Sequence, residues 1–341
     1  MNSAMKTAPD TTTDTTARAG TVTGRPESRW SAVLGDVLRN YAVIVTVAVI
    51  VLGLAISSPS FRTTENLTNV ASQCAIIGVM ASGVAALFIA GEFDLSIGSV
   101  YSVAGLVMGM AVGSLGAVGG IAVALLVAAA IGVINGVLVC ILRINAFMAT
   151  LAMSFLIGGV AVILTQGIPV TITNAGVLKF GQSKLLGFDS LVFIMLAVVV
   201  GLSVLMQMTI FGRRVYATGG NAEAARLSGV KVVFIKTAGF VICATAAGLA
   251  GMMASSQTGF ADPLAGADIL LMPVAAAVVG GISIYGGKGA VWRAIAGVLL
   301  LVLINNGFNI LGVNALYSQV VQGAVILLAV GIDAWTARAR N

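Results

Sequence analysis

Two carboxylates lie in a short segment between apolar stretches, and they are the first residues whose chemistry needs an explanation. Glu92 and Asp94 belong to the sequence GEFDLSIGS at residues 91–99. A charge at the centre of a membrane costs about 2.5–3.5 kcal/mol, so such residues are candidates for a pathway or a gate. Asp94, followed by Ser96, could equally cap the next helix, because its oxygens accept hydrogen bonds from free backbone N–H groups. Both interpretations stay open, and capping leaves Glu92 unexplained.

Neutral polar residues also interrupt the apolar stretches. Amides and hydroxyls can donate and accept hydrogen bonds, which suits a pathway for an uncharged, hydroxyl-rich solute. They can also form hydrogen bonds between helices, each of which stabilises the fold by about 0.6 kcal/mol. The candidates for the translocation pathway or its gating are Glu92, Asp94, Ser96, Asn135, Asn305, Asn306 and Asn309.

The chain has no sequence signature of an enzyme. Residues 282–290, ISIYGGKGA, superficially match a phosphate loop, but that motif requires G-x-x-x-x-G-K-[ST]. Ile282 stands at the first glycine position, and Gly289 follows Lys288. Histidine is absent, and the Ser and Asp residues are scattered. We therefore predict no catalytic residue, no metal and no cofactor in this chain, and any ATP hydrolysis must belong to a partner.

A polar segment at residues 217–231, ATGGNAEAARLSGVK, is a candidate docking loop for a separate cytoplasmic motor. Asn221 is a favourable N-cap, Glu223 suits the first turn, and Gly229 suits the end of a short helix. An ordinary amphipathic loop helix could have the same pattern, but the basic flanks favour docking. The predicted docking residues are Gly219, Gly220, Asn221, Glu223, Ala224, Ala225, Arg226, Ser228 and Gly229.

These segments must be positioned by membrane helices. Hydrophobic residues make up 59% of the chain and charged residues 9%, and the mean hydropathy is +1.06. We predict an all-α polytopic membrane protein with about ten spans of roughly 20 residues. VAALFIAG at 84–91 and VAAAVVGG at 274–281 are either a chance likeness or an internal repeat with broken helices. The candidate spans are 41–58, 68–90, 97–113, 117–141, 146–166, 189–210, 232–254, 269–284, 294–311 and 316–334.

The basic residues predict the orientation. Of the 18 Lys and Arg residues, all but Arg62, Lys179 and Lys184 fall on the side of the termini, which places both termini in the cytoplasm. The net charge of +6 is thus a topology signal, and nothing indicates nucleic acid. We predict a disordered cytoplasmic tail at 1–40, a transmembrane domain at 41–336 and a short cytoplasmic tail at 337–341.

Two motifs resemble the permease subunits of bacterial ABC importers for simple sugars, the ribose/xylose/arabinose type. The segment after the early spans fits G-x-x-DLS-[VI]-GS, and the polar loop fits T-G-G-N-x-x-A-A-R-x-S-G-[VI]. Glu92 and Phe93 depart from the neutral pair usual in that group. The matching residues are Gly91, Asp94, Leu95, Ser96, Ile97, Gly98 and Ser99, and Thr218, Gly219, Gly220, Asn221, Ala224, Ala225, Arg226, Ser228, Gly229 and Val230.

The resemblance implies a transport subunit in the lipid bilayer of a bacterial inner membrane that moves a monosaccharide or similar polyol. It implies a second copy of the permease or a close paralogue, and a periplasmic or lipid-anchored binding protein. It also implies cytoplasmic ATPase subunits that are docked on 217–231 and hold ATP and Mg²⁺. Related permeases serve nucleosides, a signalling furanone or branched-chain amino acids, so the cargo stays open. A proton-driven secondary transporter using Glu92 and Asp94 is the alternative from another class.

Overall fold

The computed structural model describes the backbone of residues 29–313 and isolated positions between 317 and 331, with side chains from residue 43 onward. The chain divides into Met1–Asn40 and Tyr41–Asn341, and the description below concerns the second unit unless stated. The disorder predicted for residues 1–28 and the tail predicted at 337–341 lie outside the described residues, as does most of the predicted span 316–334.

The described chain is almost entirely helical, as predicted. Two short antiparallel pairings interrupt the helices, β1 (Val170–Thr171) with β4 (Phe260–Ala261) and β2 (Lys184–Leu185) with β3 (Phe188–Asp189). The helices are α1 (Arg29–Ser57), α2 (Thr64–Ile89), α3 (Ile97–Gly136), α4 (Ala146–Thr165), α5 (Ala175–Gln182), α6 (Ser190–Met208), α7 (Ile210–Gly220), α8 (Ala222–Leu227), α9 (Val232–Thr258), α10 (Ala265–Ile269), α11 (Leu271–Val279) and α12 (Val291–Ile310).

Helix α1 begins at Arg29, within the segment 1–40 that we predict to be disordered. Average composition hid a local pattern in which apolar residues recur every three or four positions, which is typical of an amphipathic helix. Those residues are Trp30, Val33, Leu34, Val37 and Leu38.

Helix α3 folds back on itself. With the π-helical turn Val137–Ile141 it forms an apolar stretch of 45 residues, which would be about 68 Å long if straight. Gly116 interrupts it with φ 68° and ψ 178°. A Cβ added at Gly120 would lie 3.1 Å from the carbonyl oxygen of Met108, although residues so far apart in a straight helix are about 18 Å apart. The stretch therefore consists of two arms, 97–115 and 117–141.

The count of about ten spans is not confirmed. Within the described residues, six helices are long and apolar enough to cross a membrane, and 43–57 and 265–279 are shorter apolar helices. The predicted span 269–284 is replaced by α10 and α11, which end at Val279, before the loop 280–290. The six long helices are Thr64–Ile89, Ile97–Ile141, Ala146–Thr165, Ser190–Met208, Val232–Thr258 and Val291–Ile310.

Helix α9 is central, and small residues let its neighbours approach closely. A Cβ added at Gly251 would lie 1.9 Å from the carbonyl oxygen of Tyr101, and one added at Gly132 would lie 2.7 Å from the Cα of Val241. Both arms of α3 therefore pack backbone to backbone against α9. Helix α4, in contrast, exposes Phe155 and other large apolar side chains, as a lipid-facing helix does.

The connections gather at two ends of the bundle. At one end, the pairing of β1 with β4 joins the loop after α4 to the loop after α9, and Ser72 donates a hydrogen bond to Asp189. At the other end, the Gly287 N–H donates to the Ile89 carbonyl at 2.9 Å, and α7 ends beside them. We call these the β end and the α8 end.

Candidate functional site

Helices α2 and α11 end in the same way at the α8 end. After α2, Gly91 has φ +78° and the Glu92 N–H donates to the Leu87 carbonyl at 3.2 Å. After α11, Gly281 has φ +82° and the Ile282 N–H donates to the Ala277 carbonyl at 3.1 Å. Glycine permits this left-handed cap at no steric cost. The two helix ends thus lie at equivalent positions of the two similar segments, VAALFIAG at 84–91 and VAAAVVGG at 274–281.

The structure brings Asp94, Ser96 and Asn135 together in one buried network. Asp94, only 3% exposed, accepts hydrogen bonds from the Ser96 N–H at 2.7 Å and the Ser96 hydroxyl at 2.6 Å. Asn135 Nδ2 donates to the other Asp94 oxygen at 3.2 Å and to Ser96 Oγ at 2.8 Å. The Leu95 N–H donates to Thr150 Oγ1 at 2.9 Å. The segment between α2 and α3 is therefore held by the second arm of α3 and by α4.

Glu92 has a partner that sequence spacing could not reveal. Its Oε1 lies 2.6 Å from Lys236 Nζ, and the two side chains are only 12% and 21% exposed. The residues are 144 positions apart, so no local pattern connects them. The ion pair fastens the segment after α2 to the start of α9, which accounts for an acid that capping does not require.

We expect Lys236→Met to destabilise the folded protein by about 1–3 kcal/mol, because it leaves a largely buried carboxylate without its partner. The measurement is the midpoint of thermal unfolding in detergent. The exchanged double variant Glu92→Lys/Lys236→Glu restores the pair and should recover most of the loss. An exchanged variant as unstable as the single one would show that the ion pair is not the cause.

Four glycines form a contact between α7 and both helix ends, and we call Gly91, Gly219, Gly286 and Gly287 the glycine junction. A Cβ added at Gly219 would lie 1.8 Å from the Ile89 carbonyl oxygen and 2.6 Å from the Gly287 nitrogen. One added at Gly286 would lie 2.6 Å from the Gly219 oxygen and 2.8 Å from the Gly91 Cα. Three backbone segments therefore meet with no room for side chains.

A tyrosine adds a second connection between α7 and the loop 280–290. The Tyr216 hydroxyl donates to the Gly289 carbonyl at 2.8 Å, and burial raises the pKa of the Tyr216 phenol. Helix α7 is thus joined to this loop through both backbone and side-chain contacts.

Helix α8 has the caps expected from sequence. Asn221 Oδ1 accepts from the Ala224 N–H at 2.9 Å, and Gly229, with φ +82°, follows the helix end. Glu223 and Arg226 form an exposed ion pair at 2.7 Å. Gly219 belongs to α7 and packs in the junction, and Ala225 is buried at 4% exposure. The role of α8 in docking stays a prediction.

The asparagines of α12 lie at the β end, apart from Asp94. Asn306 Nδ2 donates to Asn66 Oδ1 at 2.6 Å, and Asn66 Nδ2 donates back at 3.2 Å. Asn309 is exposed and Asn305 is half-buried. The structure therefore does not join these residues to the network of Asp94 and Asn135, and their place on a pathway stays a prediction.

A cavity of about 510 Å³ opens at the β end and was missed by sequence reasoning. Its walls come from the start of α3, the end of α9 and the segment 260–265, which are distant in sequence. Serine and threonine in the last turns of α9, at SSQT (255–258), were the available signal. The lining residues are Tyr101, Ser102, Pro169, Ala254, Ser255, Thr258, Phe260, Asp262 and Ala265.

Helices α3 and α10 meet in a backbone contact next to the cavity residues Ser102 and Ala265, and we call this contact the floor. A Cβ added at Gly266 would lie 1.8 Å from the Gly98 carbonyl oxygen, and the Gly266 N–H donates to Ser102 Oγ at 2.9 Å. Along α9, Gly251 lies beside Tyr101 while Thr237 lies beside Gly136, a separation of about 21 Å. The network at Asp94 and Asn135 therefore lies on the α8 side of the floor.

These features define a multi-pass helical membrane protein with helices that break inside its core. The chain belongs to the family described as "Branched-chain amino acid transport system / permease component", whose model matches residues 66–330. Permeases of this kind are transport components and not enzymes.

Curated relatives carry more specific names. The chain is 38% identical over 295 residues to the ribose import permease protein RbsC of Escherichia coli K12, covering 85% of this chain and 92% of that one. It is 36% identical over 288 residues to RbsC of Bacillus subtilis 168, covering 84% and 89%. It is 31% identical over 319 residues to the L-arabinose transport system permease protein AraH of E. coli K12, covering 93% and 97%. The resemblance drawn from the motifs is confirmed, and no solved structure matches.

Proposed function

We propose that this chain is the transmembrane permease subunit of an ABC importer that brings a monosaccharide or similar small polyol into the cytoplasm. ATP, with Mg²⁺, is hydrolysed by a separate subunit docked on α8. One observation carries the proposal: the exposed, capped helix α8 follows α7, whose end contacts the ends of both broken helices at the glycine junction. The sugar-import names of the relatives support the substrate class.

The α8 end faces the cytoplasm in this proposal. Arg213, Arg214 and Lys231 flank α8, whereas Lys179 in α5 and Lys184 in β2 lie at the β end, in agreement with the positive-inside rule. Splitting α3 at Gly116 and adding the two shorter apolar helices and the predicted span 316–334 brings the count to ten. An even count places both termini in the cytoplasm, for a protein of the bacterial inner membrane.

Two elements connect the glycine junction to the floor. The segment 91–97 runs from the junction to the start of α3, and α10 with α11 runs from Gly266 to Gly280. Their matched glycine caps support an internal repeat, whose broken helices flank a pathway near the midplane. Movement of α8 by the ATPase would pass through the junction to both elements and separate Gly98 from Gly266, releasing solute from the cavity toward the cytoplasm.

The remaining partners follow from this arrangement. A periplasmic or lipid-anchored binding protein delivers the solute at the β end, where the cavity opens. A second copy of the permease or a close paralogue completes the membrane assembly, and each permease carries one ATPase. The exposed apolar side chains of α4 and α6 face lipid or the second permease.

The family description favours a second cargo, a branched-chain amino acid. An amino acid carries a carboxylate, which binds best to a cation or to aligned N–H groups. Among the described residues, the cavity lining contains hydroxyls and the Asp262 carboxylate but neither Lys nor Arg. A neutral polyol fits that chemistry better. A proton-driven mechanism is disfavoured as well, because Glu92 and Asp94 are both engaged with partners at the α8 end.

We expect proteoliposomes holding the permease, its ATPase and its binding protein to take up D-ribose or L-arabinose only when ATP reaches the ATPase. A protonophore should leave uptake unchanged at constant ATP, and excess leucine should not compete. The measurement is uptake of the labelled pentose. Uptake driven by a pH gradient without the ATPase would contradict the proposal, and competition by leucine would favour the amino-acid cargo.

A further inference from the structure

We propose that the corner between α6 and α7 binds an anionic phospholipid of the cytoplasmic leaflet. Two arginines of α7 hold the phosphate-bearing headgroup, and the outer face of α6 holds an acyl chain. The inference takes from the proposed function only the orientation, in which the α8 end faces the cytoplasm. We call this site the lipid corner, and its residues are Leu196, Val200, Val204 and Met208 of α6 and Ile210, Arg213 and Arg214 of α7.

The outer face of α6 has an apolar stripe that reaches the α8 end. Large apolar side chains recur there at every fourth position, and residues four apart are neighbours on a helix surface. From Leu196 to Met208 the stripe is about 18 Å long, close to the roughly 15 Å of hydrocarbon in one leaflet. One acyl chain can therefore lie along it. The stripe residues Leu196, Val200, Val204 and Met208 are between 42% and 74% exposed.

Thr209 forms the corner that brings α7 beside this stripe. Its extended backbone, with φ −106° and ψ 164°, ends α6. Its hydroxyl donates to the Leu205 carbonyl at 2.6 Å and accepts from the Gly212 N–H at 3.2 Å. A Cβ added at Gly212 would lie 1.9 Å from the Met206 carbonyl oxygen. The first turn of α7, which carries both arginines, therefore packs against the last turn of α6.

Helix α7 has an outer face that is partly apolar and partly cationic. Ile210, Arg213, Arg214 and Ala217 are exposed and three or four positions apart, whereas the residues between them are buried or half-buried. Ile210 is 60% exposed and lies one turn before the two guanidiniums. An amphipathic helix with apolar and basic residues turned outward is typical of the membrane–water interface.

Among the described residues, no acidic side chain pairs with either guanidinium of the lipid corner. The carboxylates at the α8 end are engaged elsewhere. Glu92 pairs with Lys236, Glu223 pairs with Arg226, and Asp94 is buried in its own network. A guanidinium binds phosphate through two parallel hydrogen bonds, so two adjacent unpaired ones favour a phosphate-bearing partner.

Aromatic residues place α7 at the level of the lipid headgroups. The Tyr216 hydroxyl donates to the Gly289 carbonyl, and Trp292, three residues further along, is 42% exposed. Tyr285, in the same loop, is 60% exposed. Tryptophan and tyrosine concentrate at the membrane–water interface. The phosphate of a lipid whose chain lies on the α6 stripe is therefore within the layer that contains the arginines.

The charge of the corner selects an anionic lipid over a zwitterionic one. The headgroup of phosphatidylcholine carries its own cation, which two neighbouring guanidiniums repel. Phosphatidylglycerol carries the phosphate without that cation. The corner lies at the start of α7, whereas α8 follows the other end of α7, so a lipid here can be bound while an ATPase is docked on α8.

The test measures lipid retention by the full-length permease, alone and assembled with its ATPase, in nanodiscs of mixed phosphatidylcholine and phosphatidylglycerol. Native mass spectrometry identifies the lipids that stay bound. Arg213→Gln/Arg214→Gln should lower the preference for phosphatidylglycerol by roughly 30-fold, because each cation near an anionic surface contributes about a factor of five. The matched control is Lys179→Gln/Lys184→Gln, which removes two exposed cations at the β end and should keep the wild-type preference.

A competition experiment distinguishes a lipid from a free phosphate. Glycerol 3-phosphate resembles the headgroup without its chains, and an excess of it should not displace phosphatidylglycerol from the wild type. Displacement would show that the arginines bind phosphate without help from the α6 stripe, and would overturn the assignment to a lipid.

Three further results would overturn the proposal. The first is a wild-type lipid preference in the double arginine variant. The second is loss of the ATPase from that variant in phosphatidylcholine alone, because the arginines would then belong to the ATPase interface. The third is crosslinking of Val200→Cys between two permease copies by a short bismaleimide, above the background of the wild type with its native Cys74, Cys140 and Cys243.

These outcomes are independent of the proposed function. Lipid retention is measured without transport, so a negative result leaves import standing. If no ATPase assembles with the wild-type chain, or if the complex imports neither pentose, the proposed function fails while the lipid measurement on the full-length permease still stands.

Discussion

Replacing Gly219 with alanine is expected to abolish ATP-driven uptake, whereas Gly220→Ala should leave it intact. A Cβ at position 219 would lie 1.8 Å from the Ile89 oxygen and 2.6 Å from the Gly287 nitrogen. Both neighbours are backbone, so no side chain can rotate away, and strain of about 1–3 kcal/mol or more follows. A Cβ at position 220 has no atom within 4 Å, which makes the adjacent glycine a matched control.

Comparing the two variants distinguishes a loss of coupling between the ATPase and uptake from a loss of folding. Uptake, ATPase co-purification and the thermal midpoint should be measured for both. We expect Gly219→Ala to retain membrane insertion and to lose uptake more completely than ATPase binding, because the hydrogen bond from Gly287 to Ile89 lies in the contact that it disrupts. Wild-type uptake by Gly219→Ala would show that the glycine junction does not transmit motion.

Reversing the charge of Glu223 is expected to detach the ATPase. Breaking a charged contact in a buried interface costs about 2–5 kcal/mol, which lowers affinity by at least roughly 30-fold. The ion pair of Glu223 with Arg226 is highly exposed, and exposed pairs contribute only about 0–1 kcal/mol to folding. Glu223→Lys should therefore spare the permease fold while binding of the ATPase and solute-stimulated hydrolysis fall together.

Lys184→Glu is the control for this substitution. Lys184 is an exposed charge in the strand β2 at the opposite end, so its reversal should leave ATPase binding unchanged. If Glu223→Lys retains wild-type ATPase binding, α8 is only a connection between α7 and α9. Ala225 is unsuitable for this test because it is buried, and a bulky residue there would disturb the loop itself.

Local signals in the sequence were sufficient for the caps of α8. Asn221 caps its start, and Gly229 takes positive φ at its end, because capping depends on neighbouring residues. Hydropathy was less informative about where a helix ends inside an apolar run. The apolar run 269–284 continues through Gly280 and Gly281, which hydropathy cannot distinguish from helix, and the structure ends α11 at Val279.

The contacts between distant segments could not be predicted. The partner of Glu92 comes from α9, and the partner of Asn306 comes from the start of α2. Gly219 fits the motif of a docking loop, but its position is set by the backbone of two other segments. The cavity is formed by three segments whose individual serines and threonines resemble those of any membrane helix, so only the fold shows that Tyr101 and Ser255 lie in one wall.

Photocrosslinking from α8 tests the central claim most directly, that an ATPase drives this chain through that helix. Leu227 is 80% exposed on α8, and Leu186 is 85% exposed at the β end. A photoreactive residue, Leu227→p-benzoylphenylalanine, should crosslink to the ATPase in the assembled complex, and the same substitution at Leu186 should not. Crosslinking of the ATPase from position 186, or its absence from position 227 in a complex that still imports sugar, would contradict the account.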